Sequence, residues 1–337
     1  MDREMQAGLV LAKTYEKRLR QANALYSKGG EEGREALTRV TSEWWDRILN
    51  AQQWLAQNYT KNREAARLCS SYPFVGELLV YLRLTPRTRL RWGEAAAAAA
   101  RRIKDRKAEA AHRHKLGMAY IDLGRFKEAI SHLKRSAVLN RMIRRPAYEG
   151  SDFGALGLTY AGLKDHRMAI RSYEKALAIF RRTRNADARW GEGIYLSNLA
   201  ESWRALGDPR KAITLHEEAL KINREVRDVN SEGYALSNLG KAYADLGEHE
   251  RAQECFQKNL AIATRNEVPQ SQGYALFELS RLLWKMGKRS EAIENAREAL
   301  AIFNRMQDFY RFRARQQLKR WCKQQGVELD ATKRRRN

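Results

Sequence analysis

Groups able to do covalent chemistry are few and scattered in this chain. Of its six histidines, His112 and His114 are the nearest pair, and a separation of two on a helix sends their side chains to different faces, a poor arrangement for a metal. Cys69 has no histidine near it in sequence, so it reads as a buried thiol, with pairing in space left open. Gly240-Lys241 is followed by alanine inside a helical pattern and cannot cradle phosphates, and no GxSxG, HExxH or GxGxxG occurs. Cys69, Cys255 and Cys322 form neither a disulfide framework nor a CxxC pair. The expectation is therefore no enzyme, no cofactor and no metal. Groups suited to recognition remain. Asn198 and Asn238 stand in identical Leu-Ser-Asn-Leu contexts, and a carboxamide can donate and accept at once, which suits an extended peptide backbone. The competing reading has them bonding across neighbouring structural elements.

Charge is the strongest compositional signal. The 337 residues carry 64 Lys and Arg against 40 Asp and Glu, a net charge of +24. Residues 1–110, 111–302 and 303–337 each carry a surplus of +8, so the last 35 residues are the densest. Such a surplus attracts polyanions. Arg141, Arg144 and Arg145, then Arg181, Arg182, Arg184 and Arg189, form two clusters about 40 residues apart, and a nucleic acid following such a ridge is one use for them. A merely solvated basic face is the other. The apolar run 153–163 is far too short for the roughly 20 residues of a membrane span, and residues 2–13 do not read as a secretory leader. A cytoplasmic protein without membrane contact is expected.

Those recognition groups need a scaffold, and internal repetition supplies it. Leu116-Gly117, Leu156-Gly157, Leu199-Ala200, Leu239-Gly240 and Leu279-Ser280 recur at a spacing of 40, with a three-residue insertion between the second and third copies. An aromatic follows in the first four (Tyr120, Tyr160, Trp203, Tyr243), then an apolar residue and usually glycine, as at Leu246-Gly247. Five residues past each glycine position stands an alanine: Ala129, Ala169, Ala212, Ala252, Ala292. Leu239, Tyr243 and Leu246 share one helix face, Gly247 caps that helix in a left-handed turn, and Ala252 marks the close approach of a second helix continued by Phe256 and Leu260. A hairpin of this kind buries its faces only by stacking on others.

The pattern L-G-x-x-Y…L-G…A-x-x-x-F resembles the tetratricopeptide repeat in its 40-residue form, as in kinesin light chains and spindle-orientation adaptors. The resemblance implies an all-α fold, a right-handed solenoid of helical hairpins, with five repeats over 111–302. Residues 72–110 read as a degenerate preceding hairpin, with Pro86 opening a helix through the Ala95–Ala100 tract. Residues 1–71, with helices over 1–28 and 32–58 separated by Gly29-Gly30, read as an N-terminal cap; Trp44, Trp45, Trp54 and the 68–72 segment are similar to the region preceding the repeats of bacterial NTPase-linked regulators. The tryptophans fill a cap core or, alternatively, form a surface for self-association, and a homo-oligomer stays open. Residues 303–326 read as a capping helix with a polar outer face from Arg311, Arg313, Arg315, Lys319, Arg320 and Lys323, and 327–337 as a basic tail without a core.

In this family the first helix of each hairpin lines a concave ligand groove. Carried over residue by residue, the groove positions are Ile194, Ser197, Asn198, Glu201 and Arg204 in the third copy, then Tyr234, Ser237, Asn238, Lys241 and Asp245 in the fourth. The fifth offers Tyr274, Phe277, Glu278, Arg281 and Lys285; the first offers His114, Lys115, Met118 and Asp122, and the second Ser151, Gly154 and Ala155. The adaptors that the array resembles use asparagine at the Asn198 and Asn238 position to hold an extended chain. Tyr234 and Tyr274 read equally as ligand shelves or as closures of the helix interface. The mixed groove charges argue against a pure phosphate trough, and only Lys241 near Asn238 partly matches the family's clamp for a terminal carboxylate. The function implied is a non-catalytic scaffold holding a peptide or protein partner, within a bacterial regulatory or defence assembly; nucleic-acid binding through the arginine edge and tail is the alternative.

Overall fold

Helix formation follows the alanine and leucine periodicity, and helices are the only regular structure among the described residues, 2–75, 77–183 and 185–329 of the computed structural model. The chain divides into two units, residues 1–164 and 165–337. The N-terminal unit opens with α1 (Arg3–Lys28), capped by Asp2, whose carboxylate accepts from the Met5 amide. Gly29 and Gly30, at φ 75° and 73°, break it as expected. The second expected helix is in fact two, α2 (Gly30–Arg39) and α3 (Trp45–Asn58), joined by a π-helical turn over Val40–Trp44.

Trp44, Trp45 and Trp54 lie half-buried against a core built on Leu9, Tyr15, Leu19, Ile48, Leu55 and Tyr72. Trp54 sits so closely on Gly8 that a Cβ there would lie 2.1 Å from the indole. The cap-core reading of these tryptophans therefore describes their packing. Next come α4 (Arg63–Val75), α5 (Glu77–Arg83) and α6 (Pro86–Arg102). The boundary placed at residue 72 falls inside α4, because the helix starts where Asn62 accepts from the Glu64 and Ala65 amides. Pro73 removes a helical donor and the helix ends two residues later. α6 begins at Pro86 behind the cap Thr85, and Ala96, Ala97, Ala99 and Ala100 are buried.

The repeats then follow the expected register. α7 (Arg106–Asp122) and α8 (Phe126–Met142) pack as a hairpin, and α9 (Pro146–Gly162) packs on α8. The C-terminal unit contains α10 (His166–Thr183), α11 (Ala186–Ala205), α12 (Pro209–Glu225), α13 (Val229–Asp245), α14 (His249–Arg265), α15 (Pro269–Lys285), α16 (Arg289–Arg305) and the terminal α17 (Tyr310–Gln325). All five marker alanines, Ala129, Ala169, Ala212, Ala252 and Ala292, are fully buried. In the C-terminal unit α13 touches both α11 and α15, whereas α12, α14 and α16 pack on the first helices beside them. The first helices thus form the inner layer of that unit.

Turns within hairpins end on Gly124, Gly207, Gly247 and Gly287, all left-handed, with Lys164 taking the same conformation in the second copy. Turns between hairpins carry non-glycine residues in that region, among them Arg144 (φ 55°), Arg227 (57°) and Glu267 (52°). An L side chain there costs about 1–2 kcal/mol, part of which glycine returns as chain entropy in the unfolded state. Opposite signs are expected in urea titrations: Gly247→Ala destabilises by about 1 kcal/mol, and Arg227→Gly, at an exposed residue, stabilises by about 0.5–1 kcal/mol.

α17 closes the C-terminal unit by burying Ala314, Leu318, Trp321 and Cys322, with Trp321 stacked on Trp284 at 4.6 Å. Its outer face carries the expected cations, but it is not wholly polar, for Phe309 is 80% exposed and Phe312 59%. Of the tail expected over 327–337, residues 330–337 lie outside the described residues, whereas Leu329 packs against the core and Arg297 donates to the Glu328 and Leu329 carbonyls, so the chain is held to that point.

Candidate functional site

On α13, Tyr234, Asn238, Lys241 and Asp245 follow the i, i+4, i+7, i+11 spacing of a single helix face, which here is the inner one. Neighbouring helices supply their partners. Arg204 on α11 makes a two-toothed contact with Glu201, Nε to Oε2 at 2.9 Å and Nη2 to Oε1 at 2.7 Å, and reaches across to Asp245 Oδ2 at 2.6 Å. On the other side Lys241 lies 3.7 Å from Glu278 of α15, which also accepts from Arg281 at 2.9 Å. Three cations and three carboxylates thus form a neutral band linking α11, α13 and α15. Burial alone would raise the Glu201 carboxyl, but the hydrogen bonds and charge of Arg204, aided by Lys241, hold it below its ordinary value.

Beside this band stand the amides and the tyrosine. Asn198 is half-buried, and its carboxamide has no hydrogen bond. Asn238 is 3% exposed; its Oδ1 accepts from Lys241 Nζ at 3.2 Å, while its Nδ2 closes no hydrogen bond of good geometry. Tyr234 is 49% exposed, with its hydroxyl end sunk beside Asn238, and burial raises that hydroxyl's pKa. Tyr274 behaves differently. Its ring lies 4.7 Å from Tyr310 and 5.4 Å from Phe303, and its hydroxyl approaches Asp308 at 3.5 Å, so it closes the interface with α17.

Three groove assignments do not face the groove. Ser197 is 1% exposed and returns its hydroxyl to Gly193 O at 3.3 Å, and Ser237 accepts from Asn259 Nδ2 of α14 at 2.8 Å. Each serine stands 100° around its helix from the neighbouring asparagine, far enough to turn into the hairpin. Phe277 is likewise core, packed edge-on against Phe303 and Tyr310. In the N-terminal unit His114 donates to the buried Asp152 at 2.7 Å, Lys115 pairs with Glu77 at 2.6 Å, and Gly154 and Ala155 are buried.

His216 was not singled out by the sequence reading. It is fully buried on α12, neither ring nitrogen has a partner, and burial pushes its pKa down to about 4. The signal was present, since His216 stands four residues after Ala212, where other copies place Leu133, Tyr173 and Phe256 in the core. Burial also pushes the Cys69 thiol up to about 12, as suits a buried, inert cysteine. Among the described residues no group of three His, Cys, Asp or Glu could hold a metal ion.

The family model "Tetratricopeptide repeat" matches residues 110–143, 153–225 and 231–305. The chain belongs to the tetratricopeptide-repeat family. Its architecture is the family's all-α stack of hairpins, a fold that generally mediates protein–protein interaction and is generally non-catalytic. No curated protein sequence matches the chain. Among solved structures it is similar to aspartyl phosphate phosphatase F from Bacillus subtilis, with TM-score 0.59, 14% identity, and coverage of 91% of this chain and 78% of that one. A Rap protein complexed with Competence and Sporulation Factor is similar over 95% of this chain and 98% of its own, with TM-score 0.54 and 11% identity. A third is the Signal Transduction ATPase with Numerous Domains (STAND) protein with a tetratricopeptide repeat sensor from Pyrococcus horikoshii, with TM-score 0.56 and 18% identity. That match covers 81% of this chain and 42% of the STAND protein. At these identities the likeness is one of fold.

The arginine clusters of this tetratricopeptide-repeat chain act largely as struts. Arg141 grips Glu149 through Nη2 at 2.6 Å and Nε at 2.8 Å, and Arg224 grips Glu232 at 2.7 Å, each eight residues on. Arg181 pairs with Glu192, eleven residues on, at 2.7 Å: the three inserted residues lengthen the connection and the pair is kept. Arg181 also reaches Glu218, and Arg189 binds Glu192 and Glu225. Arg182 donates to Ala178 O, and Arg145 stacks 3.5 Å over Tyr148. Arg184 lies outside the described residues. Arg141 and Arg181 are thus paired with carboxylates of the next hairpin and Arg189 with carboxylates of its own, so these three are engaged within the chain rather than standing free as a polyanion ridge would need.

Proposed function

We propose that the chain is a non-catalytic scaffold that holds an extended segment of a protein partner on the inner face of α11, α13 and α15, at Asn198, Tyr234 and Asn238 beside the Glu201–Arg204–Asp245 and Lys241–Glu278–Arg281 band. The observation that carries this reading is the Asn238 amide, a donor almost fully buried that closes no hydrogen bond of good geometry and has only the Tyr234 hydroxyl beside it. Such a donor costs about 1–3 kcal/mol to leave unsatisfied, and a partner's backbone carbonyl would satisfy it. Asn198 offers a second free carboxamide, and Tyr234 an open ring face at low conformational cost. The neutral band favours a polar chain over a polyanion in this groove. The fold is shared with a signal-transduction STAND protein that has a tetratricopeptide repeat sensor and with a Rap protein complexed with a factor, which fits a regulatory role. A cytoplasmic setting suits the free buried cysteines.

The test is selection of random peptides on the immobilised full chain, followed by anisotropy titration of the enriched peptides against wild type and Asn198→Ala/Asn238→Ala. The expected result is at least a tenfold loss of affinity, about 1.4 kcal/mol, while the double variant stays folded, with a melting temperature lowered by no more than the loss of the Lys241 Nζ–Asn238 Oδ1 bond explains. Equal binding to both proteins would refute the groove.

A further inference from the structure

In the N-terminal unit a cleft of about 760 Å³ opens between the α6–α7 turn and the end of α8. Its two carboxylates are already engaged. Asp105 caps α7 by accepting from the Ala108 amide at 2.9 Å, and Glu109, 2% exposed, takes Arg135 at 3.2 Å and Arg113 at 3.6 Å. Its cations are not. Arg101, Lys104, Arg106 and Lys107 are all exposed, and among the described residues none of their side chains has an ion pair or hydrogen bond. This contrasts with the arginines at other hairpin junctions, which sit on carboxylates. Four like charges held around one cleft repel each other, a cost that a bound polyanion would remove.

The rest of the cleft narrows the class of anion. Its far wall is apolar, with Met142 53% exposed. Beyond the cleft's lining, in the α8–α9 turn that follows Ile143, Arg144 is exposed and without an ion pair among the described residues, and five residues past Ile143 the Tyr148 ring, 54% exposed, lies under the Arg145 guanidinium at 3.5 Å. Clustered free cations beside an exposed aromatic ring and an apolar wall match the needs of phosphates with unstacked bases: charge for the backbone and flat surfaces for the bases. A duplex hides its base faces, so among nucleic acids a single strand suits this edge. We propose that this edge of the N-terminal unit binds a single-stranded nucleic acid, its phosphates on Arg101, Lys104, Arg106 and Lys107 and a base against Tyr148. The site is separate from the peptide groove, and either can fail without the other.

The test is fluorescence anisotropy of labelled oligouridylate and oligothymidylate of about 20 nucleotides with the full chain, between about 50 and 200 mM salt. Arg106→Glu/Lys107→Glu places two acids in the first turn of α7, where the helix dipole favours them, so the variant should melt no lower than wild type. The basic C-terminal tail is common to every protein compared. The charge reversal is expected to weaken both oligonucleotides at least tenfold and to flatten the logarithmic salt dependence by about 1.4, the share of two phosphate contacts on a single strand. Tyr148→Ala is expected to weaken binding about tenfold. A preference for one oligonucleotide names RNA or DNA as the source. Unchanged affinity in both variants would overturn the site, as would oligoglutamate that competes equally well and ignores Tyr148→Ala, which marks an acidic peptide instead.

Discussion

Phe303→Ala is expected to cost the C-terminal unit about 3–5 kcal/mol, the range for deleting a fully buried aromatic. Phe303 has no exposed surface, and its ring lies within 6.4 Å of Tyr274, Phe277 and Tyr310. It also fills the space over Gly273, where a Cβ would come within 2.7 Å of the ring. Three elements meet on this one side chain: α15, its own helix α16, and the terminal α17. Because stacked hairpins hold only their neighbours, the loss should be felt first in α17 and the last hairpin. Urea unfolding followed by tryptophan fluorescence reads it directly, since Trp284 and Trp321 stack across the same junction. A loss below about 1 kcal/mol would mean that the cap is held elsewhere.

Acid should unfold the protein through two buried histidines. Burial pushes the pKa of His216 in the C-terminal unit down to about 4, and that of His112 in the N-terminal unit likewise to about 4. His112 donates Nε2–H to Ser70 O at 2.9 Å, whereas His216 has no hydrogen-bond partner. With the unfolded value near 6.5, the unfolded chain takes up protons first as pH falls, so stability is full above about 6.5 and declines towards 4. Each histidine can remove up to about 3 kcal/mol over that window. His216→Leu should flatten the decline in the C-terminal unit and raise its stability at pH 5, since an apolar side chain suits a site with no hydrogen-bond partner. Denaturation midpoints of both proteins at pH 7, 5 and 4 give the comparison; parallel curves would show that His216 does not titrate with folding.

The hairpins were legible because their signals are local. An alanine at each helix crossing and a glycine at most turns are demanded by contacts within one hairpin, and all five alanines are buried where the register placed them. Interactions between helices were less legible. Ser237 and Asn238 are adjacent in sequence, yet one turns to Asn259 and the other to the inner face, a choice set by the neighbouring helix. Counting arginines could not show that Arg141 and Arg181 would find carboxylates eight and eleven residues on, while Arg106 and Lys107 would find none. The π-helical turn at Val40–Trp44 left no composition signal.

The central claim is that a partner's chain lies on the inner face of α13. The measurement that reaches it most directly is photo-crosslinking in cells of the native host, with a benzophenone amino acid replacing Tyr234 in one protein and the exposed Gln257, on the second helix of the same hairpin, in another. Both samples are treated with nuclease before mass spectrometry. The account predicts protein crosslinks from position 234 that are absent from 257 and disappear when Asn198→Ala/Asn238→Ala is added. Crosslinks of equal yield from 257, or crosslinks from 234 that persist in the double variant, would contradict it.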